Sequence, residues 1–474
     1  MDRRPAPLLF SLAAMIALVA GCTARGEPAA RTTPADTGTA SVTASSRASD
    51  SAAASTPSDS ASTASTPSTA GGASSAAAPS RQGDDGARSG APTLPPPTTV
   101  KPAAATTGGD SAAGGGRVAR DIRGDAVVRG LYLNRWAAQS THRLHQLIAI
   151  ADSTEINAFV IDVKDELGLN YASADPTVAA NAGRGGRIAN LRAMVDTLKA
   201  HGIIPIARIV VFKDSVAARV NADHVIRQPD GSPWRDKQGL TWVDPYDHAI
   251  WEYNIRVAEE MARAGFAEVQ FDYIRFPEPY QSLPKQIFRD ANGVEKPQAL
   301  ARFLAAACAR VHALGTRCTA DIFGLVTTVP GALEVGQQWE ALSPVVDVVL
   351  PMVYPSHYPH GAFGVDRPNA EPYRIVQTAI ARARERDGAL GIVALEHVRP
   401  WLQAFTLGQP PYGPDQLREQ KRAVYDAGYD GWVLWNPGSK YEPYVPALER
   451  TLVSRKTVGP RTADGGSAAS AAHP

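Results

Sequence analysis

This sequence has little cysteine and almost no net charge. Three of its 474 residues are cysteines, which excludes a disulfide-rich scaffold and a cysteine-built metal site. Its 48 basic and 47 acidic residues leave a formal net charge of +1, so no basic field exists to attract nucleic acid. The histidines show no paired spacing typical of metal ligands. We therefore expect a globular protein without a metal, a cofactor or a nucleic-acid partner.

The first 22 residues have the order of an export signal. Arg3 and Arg4 precede an apolar run at 8–20 that is too short to span a membrane comfortably, and small residues lead directly to Cys22. This ending resembles the lipobox of bacterial lipoproteins, in which the cysteine becomes the lipidated first residue. An ordinary signal peptide cut nearby is the alternative. Thr23 follows in place of an aspartate, which favours the outer membrane or cell surface over the inner membrane.

Aromatic residues are absent from 23–118, and 77 of these 96 residues are Ala, Ser, Thr, Pro or Gly. Such a segment cannot bury enough apolar surface to offset its chain entropy, so we predict a disordered tether. The tail at 457–474 has a similar composition and is also predicted to be disordered. All eight tryptophans lie between Trp136 and Trp435, which places the folded domain at about 120–456. That length suits one large α/β barrel.

Eight short apolar runs recur along this domain, and helix-like stretches with a 3.6-residue period lie between most of them. The predicted strands are 127–134, 158–164, 204–211, 268–274, 317–323, 347–353, 391–396 and 431–435. The clearest helices are 144–152, 191–201, 248–264, 297–314, 373–386 and 415–427. Alternating strands and helices predict parallel strands, and eight of them favour a (β/α)₈ TIM barrel. An open doubly wound sheet is the alternative, but no Gly-rich phosphate loop follows the first strand.

The two cysteines of the domain allow two interpretations. Cys308 lies on a predicted helix and Cys318 opens a predicted strand. Export to an oxidising compartment permits a disulfide between them. Their apolar surroundings suit two buried free thiols equally well.

Several predicted strands end in charged residues. In TIM barrels, active sites lie at this carboxyl end of the strands. Because alternate side chains of a strand face opposite sides, Asp162, Lys164 and Asp272 are predicted to face the barrel interior. Asp321, near the end of the fifth predicted strand, shares a side with Thr319 and Arg317. Asp162 paired with Lys164 would also be a purely structural arrangement, because buried charges are costly unless they are paired.

Two further charged residues, Arg208 on the third strand and Glu396 on the seventh, share a side with aliphatic residues. Alternation alone therefore leaves open which way they face. Arg208 is a second candidate partner for Asp162 in a structural ion network. Glu396 ends its predicted strand, so it is also a candidate for the active-site end of the barrel.

Aromatic residues are concentrated after the predicted strands, at the same end of the barrel. Flat apolar rings with polar edges suit the faces and hydroxyl groups of sugars. A single ring of this kind is more often part of the packing, so the concentration is the informative observation. The aromatic candidates for sugar contact are Trp136, Trp242, Tyr354, Trp401 and Trp435.

Six segments together resemble a bacterial family classed as glycoside hydrolases of TIM-barrel fold, here in a lipoprotein form. They are 130–132 (Gly-Leu-Tyr), 160–165 (VIDVKD), 270–277 (QFDYIRFP), 320–324 (ADIFG), 350–358 (LPMVYPSHY) and 399–405 (RPWLQAF). The resemblance covers about 127–445 and implies a barrel that acts on carbohydrate. More distantly, an aspartate that ends the fourth strand is similar to the nucleophile position of alpha-amylase-like and alpha-galactosidase-like barrels.

Glycoside cleavage normally needs two carboxyl groups, one ionised and one holding a proton. We assign Asp272 as the nucleophile or base and Asp321, on the neighbouring strand, as the acid. Glu396, across the barrel, is the alternative acid. Basic residues nearby would keep Asp272 ionised. The charged candidates for substrate binding are Asp162, Lys164, Arg208 and Arg275.

Two other functional hypotheses remain open. The first is a non-catalytic carbohydrate or cell-envelope binding protein on a hydrolase-like barrel, since a fold alone does not determine a function. A second inward carboxylate within reach of Asp272 would favour the enzyme. The other is a metal-dependent hydrolase built on His224, His248, His357 and His360. The simpler interpretation is that these histidines lie on surface loops and bind no metal. In the glycoside hydrolase and carbohydrate-binding hypotheses, the partner is an extracytoplasmic polysaccharide or oligosaccharide, and a lipid anchor attaches the protein to the membrane.

Replacing Cys22 with serine tests the predicted anchor. Serine cannot form the thioether that carries the lipid, so we expect the Cys22→Ser protein to remain unprocessed or to leave the membrane fraction. Cell fractionation with mass spectrometry of the mature amino terminus measures this. A variant that is processed and membrane-bound like the natural protein contradicts the prediction.

Overall fold

The computed structural model describes residues 127–450. The predicted signal with Cys22 at 1–22, the predicted tether at 23–118 and the predicted tail at 457–474 lie outside the described residues. Among the helices of the described part, none combines the length and the apolar character needed to cross a membrane.

Eight parallel strands close into a barrel, which confirms the predicted (β/α)₈ TIM barrel. The strands are β1 (Arg129–Leu133), β2 (Ala158–Asp165), β4 (Ile204–Val210), β5 (Glu268–Asp272), β6 (Arg317–Phe323), β7 (Val348–Val353), β8 (Trp401–Gln403) and β9 (Trp432–Trp435), with a short β3 (Gly168–Leu169) antiparallel to β2. Each barrel strand pairs with the next one along the chain, and β1 pairs with both β2 and β9 to close the ring.

Helices surround the barrel and connect its strands. They are α1 (Arg135–Gln139), α2 (Thr141–Ser153), α3 (Pro176–Ala179), α4 (Leu191–Ala200), α5 (Ser215–Val220), α6 (His248–Ala264), α7 (Lys296–His312), α8 (Trp339–Leu342), α9 (Pro372–Ala389) and α10 (Pro414–Asp426). The ends of α6 show why this segment is helical. The Asp247 side chain accepts a hydrogen bond from the backbone N–H of Ala249, and Gly265 ends the helix with a left-handed φ of 95°.

The barrel has an inner and an outer apolar layer, as strand alternation requires. The outer layer packs against the helices and includes Phe159, Ile209 and Phe271. The inner layer is smaller, with Val160, Ile206 and other residues filling the barrel below its carboxyl end. The interior is therefore packed at its base, and any cavity must lie at the top.

The predicted seventh strand at 391–396 is wrong. This segment forms an exposed turn after α9, in which the Val393 side chain is 84% exposed. The strand that pairs with β7 begins later, through a bridge between Val398 and Val349 and then through β8. An apolar run resembles a buried strand in sequence, but pairing with β7 is what decides which residues enter the barrel.

A bulge in β2 changes the direction of Lys164. Asp162 pairs with Arg208, but Lys164 pairs with Ile209, so the register shifts by one residue between them. Lys164 therefore points outward, where its Nζ lies 2.8 Å from Asp214 Oδ2 and 5.3 Å from the centre of the Tyr253 ring. The prediction that Lys164 faces the barrel interior is wrong, because strict alternation does not hold across a bulge.

Cys308 and Cys318 form a disulfide, with their sulfur atoms 2.00 Å apart. The bond joins α7 to the start of β6, the strand that follows it. The interpretation as two free thiols therefore does not hold in this structure.

The amino end of the barrel holds a buried ion pair. Arg399 Nη1 lies 2.7 Å from Glu268 Oε2, and its Nη2 lies 3.0 Å from Oε1, with both side chains 3% exposed. Two parallel hydrogen bonds of this kind satisfy both charges and fix the geometry between β5 and the segment that leads into β8.

Replacing Arg399 with methionine should destabilise the fold. The change leaves the Glu268 carboxylate buried without its bidentate partner, which costs about 3–5 kcal/mol of unfolding free energy. Urea unfolding at neutral pH measures the loss. Arg418→Met is the matched control, because Arg418 pairs with Asp415 on the exposed surface, where ion pairs contribute little. Equal stability of the two variants would contradict the prediction.

Candidate active site

A cavity of about 450 Å³ opens at the carboxyl end of the barrel. Its charged lining consists of Asp162, Asp165, Glu166, Asp272, Arg208, Lys213 and Arg275. These residues end β2, β4 and β5 or begin the loops after them. Barrels of this kind use the same end for ligands, because the loops there are free to vary while the strands hold them in place.

Asp272 is the last residue of β5, and its side chain lines the cavity. Its Oδ2 accepts a hydrogen bond from Arg208 Nε at 3.0 Å, and its Oδ1 accepts one from the backbone N–H of Tyr273 at 2.5 Å. Tyr273 has a positive φ of 52°, a conformation that costs a non-glycine residue energy and that is concentrated at functional sites. The chain thus turns sharply directly after Asp272 and leaves its carboxylate at the cavity wall.

Arg208 is the centre of the charged cluster. Its guanidinium donates to Asp162 Oδ1 and to Asp272, and its Nε lies 3.8 Å from Asp321 Oδ2. Burial acts to lower the pKa of Arg208, but Asp162 and Asp272 outweigh it and raise that pKa well above its usual value. Strand alternation left open which way Arg208 faces. In the structure its side chain faces inward as a permanent cation. The strand register explains the contact with Asp162, because the two residues pair directly across β2 and β4.

Asp162 is held by two groups. Besides Arg208, the Tyr132 hydroxyl donates to its Oδ2 at 2.5 Å. Burial nevertheless raises the pKa of Asp162 above its usual value, although Arg208 opposes the shift. This side chain lines the cavity and is also part of the ion network that the sequence allowed as a structural interpretation.

Asp321 lies beside this cluster but is 1% exposed and is not part of the cavity lining. Its Oδ1 accepts hydrogen bonds from Gln270 Nε2 at 2.8 Å and Trp401 Nε1 at 2.7 Å. Its Oδ2 has no hydrogen-bond partner among residues 127–450. Burial, and then the negative charge of Asp272, raise the pKa of Asp321 well above its usual value. The structure thus brings Asp321 near Asp272 as a buried carboxyl group with a raised pKa, behind the cavity wall.

Glu396 is not brought together with Asp272. It lies in the turn before β8, next to His397, whose Nδ1 is 3.1 Å from the backbone oxygen of Asp347 ahead of β7. That position is at the amino end of the barrel, opposite the cavity. The expectation that Glu396 ends a strand at the active-site end depended on the misplaced seventh strand and is wrong.

Four of the five aromatic candidates line the cavity: Trp136, Tyr354, Trp401 and Trp435. Tyr354 and Trp435 stack with ring centres 5.2 Å apart, and Trp136 is 55% exposed at the rim. Trp242 does not line the cavity. It is 1% exposed, and its ring supports Arg275, whose Cζ lies 4.8 Å from the ring centre.

Sequence reasoning missed several residues of the cavity. Asp165 and Glu166 follow Asp162 in the same segment. The β2 bulge turns Asp165 to the cavity, and Glu166 follows the end of the strand and also lines the cavity. Burial, with the charges of Asp162 and Glu166, raises the pKa of Asp165 to about 7, although Arg135 Nε lies 2.7 Å from its Oδ2. Lys213 lies in the loop after β4, where no strand pattern could have indicated its direction.

The four histidines considered as metal ligands do not meet at one place. His224 Nδ1 pairs with Asp247 Oδ2 at 2.6 Å, and His248 stacks on Trp251. His357 lines the cavity, and burial lowers its pKa to about 4. Within the described part of the chain, no group of three or more His, Cys, Asp or Glu side chains is arranged to hold a metal ion.

The fold and the cavity define a class of protein: a TIM barrel whose carboxyl end carries several carboxyl groups and an aromatic wall. The family DUF4015, described as a putative glycosyl hydrolase domain, matches residues 130–441. The chain belongs to this family, and the resemblance inferred from its six segments is confirmed. A glycosidase-like role follows at the level of the family.

Three solved structures show what the chain is similar to. A hypothetical protein from Ruminiclostridium thermocellum is 36% identical over 40% of this chain and 96% of its own, with a TM-score of 0.37. The PgaB (BpsB) glycoside hydrolase domain from Bordetella bronchiseptica is 15% identical over 69% of this chain and 100% of its own, with a TM-score of 0.51. The alpha-galactosidase TtGalA from Thermus thermophilus is 13% identical over 69% and 61%, with a TM-score of 0.42. Among curated proteins, none matches the chain.

Replacing Asp321 with asparagine should stabilise the protein above about pH 4. The raised pKa means that the folded state keeps a proton that the unfolded state releases, so this carboxyl costs stability as the pH rises through that window. Asparagine can still accept the hydrogen bonds from Gln270 and Trp401 and has no charge to bury. Melting temperatures of both proteins between about pH 4 and pH 7 measure the effect. A gain that does not grow with pH would contradict it.

Proposed function

We propose that this protein is a glycoside hydrolase that cleaves an extracytoplasmic polysaccharide with two carboxyl groups of the barrel cavity. The observation that carries the proposal is the position of Asp272. It ends a central strand, lines the cavity and is paired with a permanent cation, Arg208. A carboxylate hydrogen-bonded to an arginine beside an aromatic wall suits the chemistry of glycoside cleavage.

Asp272 acts as the nucleophile or as the base in this proposal. As a nucleophile, its oxygen attacks the anomeric carbon and the bond to the leaving oxygen breaks; as a base, it takes a proton from the attacking water. In both cases the leaving oxygen needs a proton from a second carboxyl group. Arg208 and the Tyr273 N–H hold Asp272 in one orientation while it reacts.

Asp165 is the better candidate for the acid than Asp321. The cavity geometry favours it, because Asp165 lines the cavity whereas Asp321 lies behind the wall. A pKa of about 7 also lets Asp165 hold a proton near neutral pH and release it during the reaction. The Leu167 N–H donates to its Oδ1 at 2.8 Å and keeps the carboxyl group in place.

The aromatic wall suits a polymer rather than a single sugar. Trp136 lines the cavity and also an adjoining surface depression with Arg143 and Lys440. Its exposed face thus continues the binding surface beyond the cavity, as stacking platforms for successive sugars do. The location outside the cytoplasm rests on the predicted signal that ends at Cys22, and the disulfide between Cys308 and Cys318 supports an oxidising compartment.

A non-catalytic carbohydrate-binding role is the second candidate. The observation that favours it is the cluster in which Arg208 pairs with both Asp162 and Asp272, so that the Asp272 carboxylate already has a partner within the protein. In that case the carboxylates would only accept hydrogen bonds from sugar hydroxyls. The two candidates differ in what a neutral replacement of Asp272 does.

Replacing Asp272 with asparagine should abolish hydrolysis and preserve the fold. The change removes the reacting carboxylate, so the rate should fall by several orders of magnitude, as should that of Asp165→Asn. Arg208 keeps Asp162 as its partner, so the melting temperature should stay the same or rise. Turnover on a panel of polysaccharides and thermal melting of the full-length protein measure both effects.

Asp415→Asn is the matched control, because the Asp415 side chain is 86% exposed and lies on α10, outside the cavity. It should cleave and melt like the natural protein. An Asp272→Asn protein that still cleaves the substrate rejects the hydrolase mechanism. A variant that loses stability while binding sugar as before supports the non-catalytic candidate.

A further inference from the structure

Lys213 is a buried cation of the cavity without a hydrogen-bond acceptor in the described part of the chain. It lies in the loop after β4, is 5% exposed and belongs to the cavity lining. Its nearest carboxylate oxygen is Asp236 Oδ2, at 3.9 Å, which is beyond hydrogen-bond distance. No residue in 127–450 accepts a hydrogen bond from its ammonium group. A buried charge in this state is costly unless something else in the cavity pairs with it.

Asp236 is already occupied by its own loop. Its Oδ1 accepts hydrogen bonds from the N–H groups of Gln238 and Leu240, and its Oδ2 accepts one from Trp242 Nε1 at 3.0 Å. These bonds fold the segment that carries Trp242. Asp236 therefore holds the loop and leaves the ammonium of Lys213 available to the cavity.

A second cation, Arg275, packs against the Tyr273 ring, which Lys213 also faces. Lys213 Nζ lies 5.3 Å and Arg275 Cζ lies 4.9 Å from the centre of the Tyr273 ring. Arg275 is paired with Glu278 at 2.9 Å. Burial acts to lower the pKa of Lys213, but Tyr273, Glu166 and Asp236 outweigh it and raise that pKa above its usual value. Lys213 thus remains charged next to another cation.

We propose that Lys213, with Arg275 beside it, binds a carboxylate on a sugar of the substrate, so that the substrate is an acidic polysaccharide containing uronic acid. The inference rests on the proposed function and adds the class of the polymer. A single ammonium without a hydrogen-bond acceptor among residues 127–450 matches a singly charged carboxylate. Arg208 cannot serve this purpose, because Asp162 and Asp272 already neutralise it.

Binding to matched polymers tests this inference. Full-length Asp272→Asn protein is titrated with polygalacturonate, alginate and hyaluronan, and with the carboxyl-reduced form of each, which keeps the linkage and removes the charge. We expect at least one acidic form to bind about tenfold or more tightly than its reduced form, since a hydrogen bond to a charged group carries about that much affinity. Adding Lys213→Met should remove most of this difference, and Lys213→Arg should retain it.

Two controls separate binding from structure and from general charge attraction. Lys285→Met removes an exposed lysine and should change neither form's binding. Lys213→Met should leave the melting temperature unchanged or raise it, because it removes a buried charge without a hydrogen bond. A fall in the melting temperature would instead assign Lys213 to structural pairing with Asp236 and overturn the inference. Binding of dextran sulfate as tight as that of the uronates would show general charge attraction and would also overturn it.

The outcomes also separate this inference from the proposed function. Equal binding of acidic and reduced forms across the panel, or no binding of any acidic form, overturns the inference. If the natural protein cleaves only the neutral forms, the hydrolase proposal stands and the inference fails. If it binds an acidic form in a way that depends on Lys213 but cleaves none of them, the inference stands and the hydrolase proposal fails.

Discussion

One guanidinium group, that of Arg208, serves three carboxyl groups inside the barrel, and the site depends on this imbalance. A single positive charge cannot neutralise Asp162, Asp272 and Asp321 together in a buried environment. The hydrogen bonds divide it between Asp162 and Asp272, and Asp321 is left with a strongly raised pKa. The same interaction thus sets which carboxyl groups pair with the guanidinium and which one is left without a hydrogen bond from it.

Two local irregularities of the backbone decide what faces the cavity. The bulge in β2 sends Lys164 to the helix layer and brings Asp165 to the interior. The positive φ of Tyr273 turns the chain directly after Asp272. Regular strands at these two places would present different side chains to a substrate, so the chemistry of the site depends on departures from ideal geometry.

The three cations of the cavity lining differ in their partners within the protein. Arg208 and Arg275 are each held by carboxylates of the protein, whereas Lys213 has no hydrogen-bond acceptor within 127–450. The aromatic rings form an apolar surface that suits sugar faces. Tyr354 and Trp435 stack on each other in this wall. The proposed roles in catalysis, recognition of charge and stacking fall on different residues, so each can be altered separately.

The sequence by itself determined the barrel, the inward direction of Asp162 and Asp272, and four of the five aromatic residues at the cavity. Periodicity and strand alternation suffice for these, because they are local properties of regular elements. Tertiary structure alone decided that 391–396 stays outside the barrel, that Lys164 turns outward and that Asp321 lies behind the cavity wall. Each of these depends on pairing with a neighbouring strand or on burial by distant residues, and a local pattern contains neither.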